Sequence, residues 1–228
     1  MPKYKITIEY DGTDFVGWQK QKNGFSIQEA LQNAIKKLSS ENSKLFGAGR
    51  TDSGVHAIGQ VAHFKIKKKI SKNKIRDGLN KHLLPLPIAV MCAEVVKENF
   101  DARFSAKKRS YQYLIINRRS PLTIKKKQAW IIHKKLNIIK MKKAACIFEG
   151  KHDFNAYRSI NCQSKSSIRT IKSCKIKHED EKISINVSAK SFLHNQVRII
   201  VGTLVDVGKG KKKISDIKKI FKSRDRSM

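Results

Sequence analysis

The sequence predicts an α+β fold made of two duplicated halves, residues 1–106 and 107–228, with a shared, mostly antiparallel sheet flanked by helices. Three observations predict it. Each half contains stretches that alternate apolar and polar residues, and stretches with apolar residues at helical spacing. The elements follow a similar order in both halves, which suggests a repeat. The break, around "FSAKKRS" at 104–110, contains no long flexible linker.

In the first half, "YKITIEY" (4–10) alternates and reads as a strand. "DGTDFVGWQKQKNG" is a turn-rich loop. "SIQEALQNAIKKL" is a helix. Ser26 and Glu29 have capping-box spacing, and Ile27, Ala30, Leu31, Ala34, Ile35 and Leu38 fall on one face. "GQVAHFKI" is a strand. "NKIRDGLNKHLL" carries Ile75, Leu79 and Leu83 at helical spacing and stops at "PLP". "IAVMCAEVV" is an apolar run suited to a covered strand.

The second half opens on the alternating strand "SYQYLIIN". "KLNIIKMKKAACIFEG" is a helix ended by Gly150. "IRTIKSCKIK" and "KISINVSAKSF" form a hairpin around "HEDE", with Ile183, Ile185, Val187 and Ala189 on one face. "LHNQVRIIVGTLVDVG" is an amphipathic helix through Val197, Ile200, Val201 and Leu204. A short basic helix around "ISDIKKIFK" follows.

A chain of 228 residues can bury a sizeable core, and 39% hydrophobic residues exclude disorder of the whole. No apolar run spans a membrane and "MPKYKITIEY" has no signal-peptide pattern. The expectation is a soluble, cytoplasmic protein. Fifty Lys and Arg against 18 Asp and Glu give a net charge of +32, a field suited to a polyanion such as nucleic acid. The lysine runs at 65–74, 125–127 and 209–213 are candidates for phosphate contacts or simply solvated surface. Cys92, Cys146, Cys162 and Cys174 lack C-x-x-C spacing and read as buried, reduced thiols. His56 and His63, seven residues apart, read as ordinary polar side chains and not metal ligands.

The densest stretch is "LFGAGRTDSGVHAIGQVAHF", residues 45–64. No G-x-G-x-x-G or G-K-[ST] pattern completes and a strand follows, which argues against a nucleotide cradle. Two readings remain. The glycines supply positive φ and Asp52 bonds its own backbone in a turn. Alternatively Arg50, two residues away, keeps Asp52 ionised, and the carboxylate is held out as a nucleophile or to stabilise positive charge. A paired-acid arrangement of the glycosidase kind is not evident.

This stretch resembles the signature of the TruA family of tRNA pseudouridine synthases. "KITIEYDGTDFVGWQKQ", "RSYQY", "HDFNAYRS" and "SFLHNQVRIIVGTLVDVG" resemble further blocks of that family, in family order from residue 4 to about 208. The resemblance implies the pseudouridine synthase fold and conversion of uridine to pseudouridine at positions 38, 39 and 40 of the tRNA anticodon arm. It implies no metal or organic cofactor and a homodimer with a basic cleft. It makes Asp52 the catalytic aspartate, Tyr111 in "RSYQY" the tyrosine against the target base, and Arg198 in "NQVRIIVG" the arginine that pairs with the aspartate. Arg50 belongs to the same signature, and the resemblance implies that it helps open or fill the site as the base flips. Without the resemblance, Tyr111 reads as a strand tyrosine packed on the core beside Tyr113. Family members usually continue past "DRS" into a Gly-, Pro- and Ala-rich segment with a closing strand, whereas this sequence ends at "FKSRDRSM". That departure suggests a second reading, a catalytically weak tRNA-binding or folding-assistant protein.

Overall fold

A computed structural model describes residues 1–124 and 126–225. Lys125, in the second lysine run, and the last three residues of "FKSRDRSM" lie outside the described residues. The chain divides into two compact units, Met1–Ala106 and Lys107–Met228. The α+β class stands. Each unit carries one sheet of its described strands.

The first unit runs β1 (Lys3–Tyr10), α1 (Ile27–Ser39), β2 (Phe46–Gly47), β3 (Ala57–Lys65), α2 (Lys72–Leu83) and β4 (Ile88–Val96). Its antiparallel sheet has the order β2-β3-β1-β4. Alternation puts Tyr4, Ile6, Ile8 and Tyr10 of β1 on one face. They form one core with Ile27, Leu31 and Ile35 of α1 and Ile75, Leu79 and Leu83 of α2. Ser26 caps α1, its Oγ accepting from Glu29 N at 3.2 Å. The reciprocal half of the expected capping box gives way to an ion pair, with Glu29 Oε1 2.9 Å from Lys20 Nζ.

β4 is not the covered strand expected. It is an edge strand with a bulge: Thr7 pairs with Cys92 and Ile8 with Val90, so Met91 is the extra residue. The bulge re-aims the side chains. Ile88, Val90 and Ala93 enter the core, while Met91 and Val95 are exposed.

The second unit runs β5 (Arg109–Asn117), β6 (Trp130–Ile132), α3 (Ile138–Ile147), β7 (Gly150–Asp153), a 3-10 turn (Asn155–Tyr157), β8 (Ile168–Glu179), β9 (Lys182–Ala189), α4 (Gln196–Gly208) and α5 (Ile214–Ser223). The sheet order is β6-β5-β9-β8-β7, parallel only between β5 and β6. Ile183, Ile185, Val187 and Ala189 of β9 share a core with Met141 of α3, Ile200, Val201 and Leu204 of α4, and Ile217 of α5. A bulge at Lys172 shifts the inward phase of β8 from Ile171 to Cys174 and Ile176. Gly150, expected as a helix cap, instead opens β7 at φ 97°, and α3 ends at Ile147.

The cysteines depart from expectation. Only Cys174 is buried, and burial pushes its thiol up to about 12. Cys92 and Cys146 are exposed. No helix among the described residues is long and apolar enough to cross a membrane.

Candidate active site

The stretch 45–64 folds as β2, a loop, and β3. The loop is built from main-chain bonds. Ala48 N donates to Val61 O at 2.7 Å. Gln60 Nε2 donates to Gly49 O at 2.7 Å, which spans the loop's base. At the tip, Val55 N donates to Asp52 O at 3.2 Å and closes a turn over Asp52–Val55, with Gly54 at φ 73°. Asp52 is half-buried at the start of this turn.

A second segment, Tyr10–Trp18, forms the wall behind it. Trp18 N donates to Thr51 O at 2.9 Å. Ser53 Oγ and Gly54 N both donate to Phe15 O, at 3.2 and 3.4 Å. Tyr10 Oη lies 2.8 Å from Thr51 Oγ1. The two segments approach so closely that a Cβ on Gly12 would stand 2.1 Å from Val55 O, and one on Gly17, at φ 112°, 2.6 Å from Thr51 O. Only glycine permits that contact. The sequence reads 11–24 as a turn-rich loop and 5–21 as a block that resembles the family, without singling out any one of these residues. The signal was there in two glycines set among Tyr10, Phe15 and Trp18, but spacing alone cannot say which segment they face.

Two histidines accept from main-chain amides or lie beside carboxylates. His56 Nδ1 lies 3.1 Å from Gly12 N and 2.9 Å from Asp11 Oδ1. One nitrogen cannot accept from the first and donate to the second together. The bond from Gly12 therefore belongs to the Nε2–H tautomer, in which Nδ1 is bare, and the Asp11 contact to a ring that carries a hydrogen on Nδ1. Asp11 is held below the usual carboxylate range, chiefly by its side-chain hydrogen bond with Thr13. His63 Nδ1 accepts from Ala102 N at 3.0 Å, and burial pulls its pKa down. No cluster of three or more His, Cys, Asp or Glu among the described residues could hold a metal ion.

Arg50, two residues before Asp52, is exposed.

In the second unit, Tyr111 lies on β5 opposite Val187 of β9, on the same strand face as Tyr113 opposite Ile185. Tyr113 packs against the core, with its ring 6.3 Å from that of Trp130. Tyr111 meets Phe192 edge-on, centroids 5.1 Å apart at 86°. Phe192, quoted in "SFLHNQVR", was not singled out from the sequence. Arg198 sits in the first turn of α4 and is exposed. Asp52 and Arg50 thus belong to the first unit, and Tyr111 and Arg198 to the second.

The chain is thus an α+β protein of two units, one of which carries a half-buried carboxylate on a clamped turn. A family model described as tRNA pseudouridine synthase matches residues 6–105 and 144–228. The chain is 52% identical over 226 residues to tRNA pseudouridine synthase A of Ehrlichia chaffeensis, covering 99% of this chain and 92% of that protein. It is 48% identical over 227 residues to tRNA pseudouridine synthase A of Parvibaculum lavamentivorans, covering 100% and 92%. Against tRNA pseudouridine synthase A of Maricaulis maris the identity is 46% over 227 residues, covering 100% and 91%. The chain belongs to the tRNA pseudouridine synthase family.

Proposed function

We propose that this chain isomerises uridine to pseudouridine at positions 38, 39 and 40 of the tRNA anticodon arm, with Asp52 as the nucleophile acting on a flipped-out base. The observation that carries the reading is Asp52 at the start of a turn held from behind by main-chain bonds, within a family match that covers both halves of the chain. The names of the relatives supply the substrate class, tRNA.

The reaction balances within the nucleoside. The N1–C1′ bond breaks, the uracil turns, and C5 joins C1′. The proton lost from C5 is matched by one gained at N1. An ionised carboxylate can attack C1′ or C6, or assist elimination to a glycal. The base must first leave its stack, at a cost of a few kcal/mol, on the order of 3. We assign Tyr111 the face against that base, where stacking offsets about 1–3 kcal/mol. Arg198 is assigned as the cation for the carboxylate, and Arg50 as a residue that helps open or fill the site during flipping. These three assignments rest on the resemblance of "RSYQY", "NQVRIIVG" and "GRTDSG". The working form is assigned as a cytoplasmic homodimer on the same basis. The charge of +32 favours the tRNA polyanion, and each phosphate contact steepens the salt dependence of binding.

The test is tritium release from tRNA labelled at uridine C5, with substrates whose only labelled uridine is at 38, 39 or 40. Release is expected from this chain, and a fall on the order of 10³-fold or more in Asp52→Asn with tRNA binding kept. Binding without release by the unaltered chain overturns the enzyme reading. Release that survives in Asp52→Asn overturns the role of Asp52.

A further inference from the structure

The chemistry proposed for Asp52 leaves the segment behind it without a task. Tyr10, the last residue of β1, is 2% exposed and belongs to the first unit's core. Its hydroxyl nonetheless reaches a loop side chain, Thr51 Oγ1 at 2.8 Å, one residue before Asp52. Thr51 is gripped a second time through its carbonyl, which accepts from Trp18 N at 2.9 Å. Trp18 is itself core, and its ring lies 6.3 Å from that of Tyr10. On the other side of Asp52, Ser53 and Gly54 are both tied to Phe15 O. The residues flanking the carboxylate are therefore fixed to rigid, buried groups. Of these ties, the Tyr10–Thr51 bond is the one made between two side chains, so it can be removed without disturbing the main chain.

We propose that Tyr10 is a positioning residue for the Asp52 carboxylate, acting through its hydrogen bond to Thr51. The proposal rests on the assignment of Asp52 as the reacting group. The physical reason is geometric. A carboxylate that must meet a carbon of a flipped nucleoside has to be held close to its productive position, and a misplacement of about 1 Å can cost about 100-fold in rate. The turn that carries it must therefore be fixed with that precision. A hydroxyl anchored at the end of a central strand supplies it.

The experiment compares Tyr10→Phe, Thr51→Val, their double variant, Thr51→Ser and Asp52→Asn. Each is measured for tritium release, tRNA affinity and melting temperature. Tyr10→Phe and Thr51→Val are expected to lower kcat by roughly 10–100-fold. Their KM and tRNA affinity stay within about twofold, because the lost interaction does not touch substrate. The double variant falls no further than either single one, since both remove the same bond. Thr51→Ser, which keeps the hydroxyl, retains kcat. If Asp52→Asn is inactive while Tyr10→Phe keeps full kcat, the positioning role is overturned and the Asp52 assignment stands. If kcat falls only in step with the melting temperature and Thr51→Ser behaves like Thr51→Val, the bond is structural and the proposal is overturned. If Asp52→Asn remains active, the underlying assignment fails, a result distinguishable from both.

Discussion

Asp52 in the first unit and Tyr111 in the second are placed by different kinds of structure. Tyr111 takes its position from strand register: β5 pairs with β9 residue by residue, and alternation decides its face. Asp52 sits on a loop, where no ladder sets its position. Its place comes from the Tyr10–Trp18 segment, through bonds to Thr51, Ser53 and Gly54 and the close approach at Gly12. A regular element positions a side chain through many repeated bonds. A loop does so through a few individual ones, so single changes there should cost more.

The strongest way to break that contrast is Gly12→Ala. Its Cβ would stand 2.1 Å from Val55 O, so the two segments must part. Overpacking of this kind costs about 1–3 kcal/mol. Denaturant unfolding should show that loss. Turnover should fall by about 100-fold as the turn moves. Full turnover in Gly12→Ala would show that the close approach does not govern Asp52. In the second unit, Tyr111→Ala should leave the fold intact and lower turnover by roughly 10–100-fold, the scale of one lost base stack of about 1–3 kcal/mol. Single-turnover kinetics at saturating tRNA measure this. Loss of tRNA binding instead would make Tyr111 a recognition residue.

A smaller effect should follow from Phe192→Ala. An edge-to-face pair contributes about 0.5–1.5 kcal/mol, so turnover should drop by less than in Tyr111→Ala. An equal drop would mean that Phe192, not β-sheet register, sets the tyrosine. The smallest effect concerns His63. Its Nε2 lies 4.0 Å from Asp101 Oδ2, Lys3 and Lys65 are nearby cations, and Phe46 and Phe100 pack against the ring. Burial lowers its pKa below the ordinary 6.5, so as pH falls the unfolded chain takes the proton first. Stability of the first unit is therefore full above pH 6.5 and declines as pH drops below it. In thermal melts, His63→Asn, whose Oδ1 can still accept from Ala102 N, should lack that decline. A pH profile identical to the unaltered chain would reject the assignment.

Much of the fold was legible from residue order. β1, α1, β3, α2, β5, the β8–β9 hairpin, α4 and α5 stand close to where periodicity put them, because each buries one face and so carries a repeat of 2 or 3.6 residues. β2 and β6, of two and three residues, are too short to show a period. At β4 the apolar run was plain, but an edge bulge decided which residues face the core. The candidate site divided in the same way. Asp52, Tyr111 and Arg198 were visible as motifs. The wall of Tyr10, Gly12, Phe15, Gly17 and Trp18 was not, because its partners lie about 40 residues away in the chain, as Tyr10 and Thr51 do.

By itself, then, the sequence determined the α+β class, the elements with a strong repeat, the basic character and the family signature around Asp52. These follow from local composition and spacing, which a linear reading holds. The tertiary structure decided what holds Asp52: a core tyrosine bonded to Thr51, a tryptophan amide on the adjacent carbonyl, and a glycine leaving room for Val55 O. Those are pairings between distant segments, and they exist only once β1 and β3 lie side by side and bring the two loops together.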